Sequence, residues 1–394
     1  MLNTPFSPWP SFTQEEADAV SRVLLSNKVN YWTGKECREF EKEFATFSDS
    51  EYAIAVANGT VALDLIIQGL GIGAGDEVIV TSRTFLASAS SIVLAGAVPV
   101  FADVDRDSQN VTAESIAAVM TDKTRAVMCV HLAGWPCDMD PIMELAEQHN
   151  LFVIEDCAQA HGARYKGRSV GGIGHAGAWS FCQDKIMTTG GEGGMVTCND
   201  KELWSRMWSF KDHGKSWDAV YEREHPAGFR WLHESFGTNW RMTEMQGAIG
   251  RIQLARMAQW REARQHNASM LWDCAKTLPG LRVPAVPETI EHAAYKCYVF
   301  VDTNKLAEGW SRDRIQNAIV EAGVPCFSGS CSEVYLEKAF DDTEWRPKVS
   351  LPVAKELGVT SLMFLVHPTL TTGEMEKTCR VLTEIMMNAT RNNT

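Results

Sequence analysis

Through the first half of the chain, short apolar runs alternate with longer segments whose apolar residues recur every three or four positions. The short runs at 52–57, 77–81, 98–104, 126–132, 151–155, 176–181 and 195–198 predict β-strands. Helical patterns lie between several of them, at 61–70, 87–95, 113–120 and 140–149. Strands that are apolar throughout and separated by helices predict a mostly parallel sheet covered on both faces, an α/β fold.

Two helices precede the first strand. Thr13-x-x-Glu16 forms a capping box ahead of Val20, Val23 and Leu24, and Phe40, Phe44 and Phe47 follow at helical spacing. Beyond the turn at 237–239, a helical pattern runs from 243 to 278 and ends at Pro279-Gly280. Then come a strand at 295–301, a helix at 312–322 stopped by Gly323, a helix at 372–389 and a polar tail, 390–394, expected to fray. The division this predicts is a large α/β domain with its N-terminal helical segment (1–245), then a long linking helix and a smaller α+β domain (246–394).

Composition narrows the function classes. With 45% hydrophobic and 22% charged residues, the 394-residue chain reads as globular. Its net charge of −13, with no strong basic cluster, argues against a nucleic-acid partner. The N-terminus carries no charged-then-apolar leader and no apolar run is long enough to span a bilayer, so a cytoplasmic location is expected. The 11 scattered cysteines, without a CxxC pair, read as free thiols, and neither they nor the 10 histidines fall at metal-site spacing.

The candidate chemistry starts at Lys185, which follows the apolar Ala178-Trp179-Ser180-Phe181 and precedes Thr188-Thr189-Gly190-Gly191-Glu192-Gly193-Gly194. A lysine on a glycine-rich turn after a strand can present its amine to a carbonyl compound. Upstream, Glu155-Asp156-Cys157-Ala158-Gln159 follows the run 151–154. A carboxylate at one strand end and a lysine beyond the next can grip the two ends of pyridoxal phosphate, Lys185 as a Schiff base and Asp156 paired with the ring nitrogen. Gln159 is placed to bond the ring's phenolic oxygen. Asn58-Gly59-Thr60, between a strand and a helix, can seat a phosphate or serve as an ordinary cap. Phe85 can stack on a flat ring or pack in the core. Each residue alone has an ordinary structural reading; their place at successive strand ends, where open α/β sheets bind ligands, favours the site. Gly172-Ile173-Gly174-His175-Ala176-Gly177 matches a dinucleotide fingerprint, but it leads into a strand rather than a helix, which disfavours a nicotinamide oxidoreductase.

With these residues in view, the chain resembles the DegT/StrS family of sugar aminotransferases over nearly its whole length. The resemblance rests on Ala57-Asn58-Gly59-Thr60-Val61-Ala62-Leu63, Gly75-Asp76-Glu77-Val78-Ile79, Thr84-Phe85, Glu155 to Gln159, Ser180-Phe181 with Lys185, Gly191-Glu192-Gly193-Gly194 and Asn239-Trp240-Arg241-Met242. It implies the aspartate-aminotransferase (type I) fold, with a seven-stranded sheet, and pyridoxal 5'-phosphate as cofactor. Lys185 and Asp156 would be the catalytic pair, Gln159 would contact the phenolic oxygen and Phe85 would stack on the ring. Gly59, Thr60 and Ser180 would bind the phosphate, with Gln183 nearby. Asn239 would reach the phosphate of the other subunit, making the enzyme a homodimer with shared sites. Asn58 and Cys157 depart from the serine and alanine usual in relatives, both small changes. Lys185 argues against the sugar-dehydrating branch, which carries histidine there.

The implied reaction moves an amino group from L-glutamate to a nucleotide-linked keto-sugar, with UDP-2-acetamido-2,6-dideoxy-4-keto-hexose favoured, for polysaccharide such as lipopolysaccharide O-antigen. dTDP-linked 3-keto- or 4-keto-6-deoxysugars are the alternative within enzymes, and a non-catalytic cofactor-binding regulator is the alternative outside them. His131, His213, Arg241 and the stretch 218–231 are the candidates for touching the sugar.

Overall fold

The seven expected strands assemble into one sheet in the computed structural model, which describes residues 5–390. They are β1 (Tyr52–Val56), β2 (Glu77–Thr81), β3 (Val98–Ala102), β4 (Thr124–Val130), β5 (Phe152–Asp156), β6 (Ala176–Ser180) and β7 (Gly194–Cys198). The order across the sheet is β1-β7-β6-β5-β4-β2-β3, and β7 alone runs against the other six. The strands read as continuous apolar runs because both faces are covered. Val78, Val80, Met128 and Ile154 enter one core cluster, while their neighbours Ile79, Val127, Cys129 and Val153 enter another. Each such side chain contributes roughly 1.5–3 kcal/mol of burial.

The helices follow the sequence pattern with two instructive shifts. The capping box of Thr13 and Glu16 starts Gln14–Leu25 as read, and Glu36–Phe47 turns Phe40 and Phe44 inward. The single helix expected at 243–278 is instead two, Glu244–Ala255 and Met257–Lys276. The first packs on the two N-terminal helices and the second on the last helix, Thr372–Ala389, so the chain redirects at Arg256 between different partners. The strand expected from 295 starts at Cys297. Tyr295 and Lys296 leave the ladder to line a cavity.

Cys297–Val301 belongs to a four-stranded antiparallel sheet with Leu281–Arg282, Ser361–Phe364 and Cys326–Phe327. That sheet and the last helix enclose a separate apolar cluster from Ala268 to Ala389. Arg312–Glu321 ends before Gly323, whose φ of +75° suits glycine. Of the tail expected to fray, the Thr390 amide still bonds Met386, while 391–394 lie outside the described residues. No described helix is long and apolar enough to cross a membrane, and the 11 cysteines are free.

Candidate active site

The carboxyl ends of the parallel strands open onto a cavity of about 1160 Å3. Gly59, Thr60, Phe85, Asp156, Gln159, Ser180 and Lys185 all line it. Residues separated by more than a hundred positions are thus brought to one wall.

The helix Gly59–Gly69 begins directly beyond β1, and the Asn58 side chain accepts the Val61 amide as its cap. Asn58 thus caps the helix, and Asn58, Gly59 and Thr60 all line the cavity. A Cβ on Gly59 would sit 2.6 Å from the Ser180 Cβ. Only glycine lets the helix start come this close to the end of β6. The result is a cradle of backbone N–H groups and the Thr60 and Ser180 hydroxyls, a donor set suited to a phosphate.

Asp156 ends β5 and is only 6% exposed. Its Oδ2 accepts the Ser88 hydroxyl at 2.8 Å and its Oδ1 accepts the Ala158 amide at 3.1 Å. Ser88 is in turn bonded to Thr84, so the carboxylate is fixed from the segment beyond β2. The Gln159 oxygen accepts the Ala133 amide at 2.8 Å, which leaves its NH2 as the group to offer a ligand oxygen. Phe85 is 71% exposed, which rules out core packing and leaves a ring face available beside Asp156 and Gln159.

Lys185 is carried on the loop between β6 and β7. Buried Ile186 and Met187 anchor that loop, and the Thr188 amide and hydroxyl bond Gln253 and Phe181. Gly190 and Gly191 have φ of +93° and +120°, which lets the loop reverse within a few residues. The Lys185 Nζ lies 5.4 Å from the Tyr295 ring centre. Next to it, burial would raise the Asp184 carboxyl, but the Lys185 charge and the Tyr295 hydroxyl hold it below its ordinary value. Burial brings Lys296 down to about 8, with Asp184 opposing. Below the loop, burial and then the Lys185 charge push His161 down to about 3, keeping it neutral against Trp179 and Phe181.

Other candidates lie elsewhere. His131 is wholly buried: its Nδ1 accepts the Cys137 amide, so Nε2 carries the proton given to Glu155 at 3.0 Å. It is not available to a sugar, which corrects that expectation. Glu155 also accepts the amides of Gly171, Ile173 and Gly174, so the glycine motif is bound by the protein's own carboxylate. Gln183 is exposed and does not line the cavity. Nor do His213, also exposed, and Arg241, paired with Asp212 at 2.7 Å. Asn239 is exposed and does not line its own chain's cavity.

The sequence reading missed the opposite wall, made by Tyr295, Lys296, Tyr298, Phe327 and Met363 around the small sheet. It also missed Ser88, although its position three residues beyond Phe85 on a helix was a usable signal.

The profile of the DegT/DnrJ/EryC1/StrS aminotransferase family matches residues 10–383. The chain belongs to this family. It is accordingly a pyridoxal-phosphate-dependent aminotransferase, and the cradle, the fixed carboxylate and the loop lysine fit that cofactor. The aminotransferase from Psychrobacter cryohalolentis is 65% identical, with a TM-score of 0.96 over 98% of this chain and 100% of that one. GDP-perosamine synthase of Caulobacter vibrioides is 37% identical over 386 residues, 96% of this chain and 97% of the relative. UDP-N-acetyl-3-dehydro-alpha-D-glucosamine 3-aminotransferase of Acidithiobacillus ferrooxidans is 33% identical over 383 residues, 97% and 95% of the two.

Proposed function

We propose that this aminotransferase moves an amino group from L-glutamate to a nucleotide-linked keto-sugar, working as a homodimer in the cytoplasm. The observation that carries the reading is the cavity of about 1160 Å3 above the cradle. It exceeds the roughly 300–1,000 Å3 that a small ligand needs. Space therefore remains, beyond a cofactor, for a large second substrate against the small-sheet wall. The names of relatives similar along their whole length carry GDP- and UDP-linked amino sugars.

Bound in the site, pyridoxal phosphate supplies an aldehyde for amino exchange and a protonated ring that draws charge from the reacting carbon. Lys185 would hold the aldehyde, and its Nζ would carry the proton taken from the donor's α-carbon. Asp156, fixed by Ser88 and Ala158, would pair with the ring nitrogen and keep it protonated. Gln159 would donate to the phenolic oxygen, Phe85 would cover one ring face, and Gly59, Thr60 and Ser180 would hold the phosphate; all five line the cavity. Asn239 serves the partner's site. In support, it lies off its own cavity on a segment where Phe229, Trp231 and Phe236 are 76%, 78% and 98% exposed, as a surface awaiting another subunit would be.

We favour UDP-2-acetamido-2,6-dideoxy-4-keto-hexose as acceptor. A 3-keto acceptor is the second reading, on the strength of the 3-aminotransferase named above. A panel of UDP-, GDP- and dTDP-linked 3-keto and 4-keto sugars, assayed for glutamate-dependent amination, separates the two. Amination of the UDP-linked 4-keto sugar above all others is expected. Activity confined to a 3-keto sugar refutes the preference, and no activity on any refutes the substrate class.

A further inference from the structure

The start of the chain reaches the lysine loop. The Trp9 indole N–H donates to the Lys185 carbonyl at 2.8 Å, across 176 positions of sequence. It is the bond this carbonyl receives among the described residues. The Lys185 amide is bonded within its own loop, to the Cys182 carbonyl at 3.1 Å. Both main-chain groups of Lys185 are therefore held, one by the loop and one by the N-terminal segment.

The ring that makes this bond is itself fixed. Trp260 meets it edge-on with centres 5.1 Å apart, His367 stacks on it at 5.9 Å, and the Arg264 guanidinium lies 5.0 Å from its centre. The residues before it are tied to the end of the chain. The Ser7 amide and hydroxyl donate to Glu374, in the first turn of the helix Thr372–Ala389, at 2.5 and 3.1 Å. The Pro8 carbonyl accepts the Thr369 hydroxyl at 2.8 Å, and the Lys377 Nζ lies 5.4 Å from the Phe6 ring centre. Residues 6–9 thus form a strap from the last helix to the lysine loop.

The strap meets the loop where packing is thin. Beyond Lys185, buried Ile186 and Met187 anchor the loop. Before it, Asp184 borders both the large cavity and a smaller one of about 370 Å3 that residues 6–9 also line. A segment bordering two cavities has fewer neighbours to restrain it, so a directed bond from a packed ring matters more there. The Lys185 Nζ ends a long, flexible side chain, and its reach toward a substrate atom is set by where its main chain is held.

We infer that Trp9 is a positioning residue for Lys185: its N–H fixes the main chain that carries the amine, and the strap makes that placement depend on the last helix. The inference rests on Lys185 being the residue that holds the cofactor and moves the donor's proton. It does not depend on which sugar is the acceptor.

Trp9→Phe keeps a ring against Trp260 and His367 and removes the donor. Benzothienylalanine placed at position 9 is the second variant; it keeps the fused bicycle, with sulfur where the N–H was, and so preserves the packing if phenylalanine does not. In cofactor-free protein, hydrogen–deuterium exchange of residues 182–189 should be about threefold or more faster in both variants, with exchange in the last helix unchanged. In holoenzyme mixed with L-glutamate and no acceptor, stopped-flow absorbance of the cofactor should show a single turnover slower by about tenfold or more. The half-saturating glutamate concentration should not change. The rate ratio between α-protio and α-deutero glutamate should be at least that of the wild type, because the slowed step is the proton transfer Lys185 carries. A role confined to stability would lower the melting temperature and leave that ratio and the saturated rate where they were. Wild-type exchange or a wild-type rate in both variants overturns the inference, as does a slower turnover whose isotope ratio falls toward one. If L-glutamate does not convert the wild type, the donor reading fails and the exchange result decides the inference. Borohydride labelling of a lysine other than Lys185 overturns the reading beneath it; a label on Lys185 with wild-type behaviour of both variants overturns the positioning role alone.

Discussion

Replacing Gly59 by alanine tests the phosphate cradle, because helix propensity and site geometry push in opposite directions. Gly59 lies at the first position of a helix and does not have positive φ, so alanine is compatible with the backbone and gains up to about 1 kcal/mol of helix propensity. The added Cβ, however, would lie 2.6 Å from the Ser180 Cβ and 3.1 Å from its Cα. Carbon atoms prefer about 3.5–4.0 Å, so the shortfall is about 1 Å and no rotamer relieves it. Separating the helix start from β6 costs roughly 1–3 kcal/mol of overpacking, leaving global stability within about 2 kcal/mol of the wild type. The cradle suffers more. Hydrogen bonds of about 2.9 Å stretched by about 1 Å cease to be bonds. Losing two bonds to a charged group at about 1.5–3 kcal/mol each removes at least about 3 kcal/mol, roughly a hundredfold in affinity. The assay is resolution of the cofactor followed by titration with pyridoxal phosphate, read by absorbance and fluorescence quenching. Gly59→Ala should bind about a hundredfold more weakly. Wild-type affinity in the variant refutes the cradle.

Three further outcomes are expected. Asp156→Asn should keep the fold and the Lys185 linkage but lower glutamate-dependent turnover by about a hundredfold or more, since a neutral amide no longer holds the ring nitrogen protonated; unchanged turnover in a steady-state assay contradicts this. Burial would raise Glu155, but His131 and the Gly171 and Gly174 amides hold it below its ordinary 4.5, so it adds stability at neutral pH that is lost as pH falls through that range. Glu155→Gln should therefore cost roughly 3 kcal/mol in urea unfolding at pH 7 and less at pH 4; an equal cost at both pH values contradicts the assignment. Coexpressed Lys185→Ala and Asn239→Ala chains, each impaired alone, should form mixed dimers with one intact site and about half the wild-type turnover. Mixed dimers no better than either parent contradict the cross-subunit role of Asn239.

The sheet was legible because its strands are buried on both faces, so Val78, Ile79 and Val80 all had to be apolar whichever way they point. Helix ends were legible where a side chain states them, as at Thr13 and Glu16. The break at Arg256 was not, since both flanking segments are amphipathic and only their different packing partners separate them. On the site, the wall built from strand ends could be read because each strand is followed at once by its functional residue. The wall around Tyr295, Lys296 and Tyr298 could not, because it depends on how the second sheet docks. His131 misled because a polar residue at a strand end looks functional, whereas here the strand alternation turns it down onto Glu155.

The most direct test of the whole account is chemical. Reducing the purified, cofactor-loaded enzyme with borohydride and mapping its peptides by mass spectrometry should place a single phosphopyridoxyl group on Lys185, with Lys296 unmodified. Labelling of another lysine, or none at all in protein that retains the cofactor's absorbance, would contradict it.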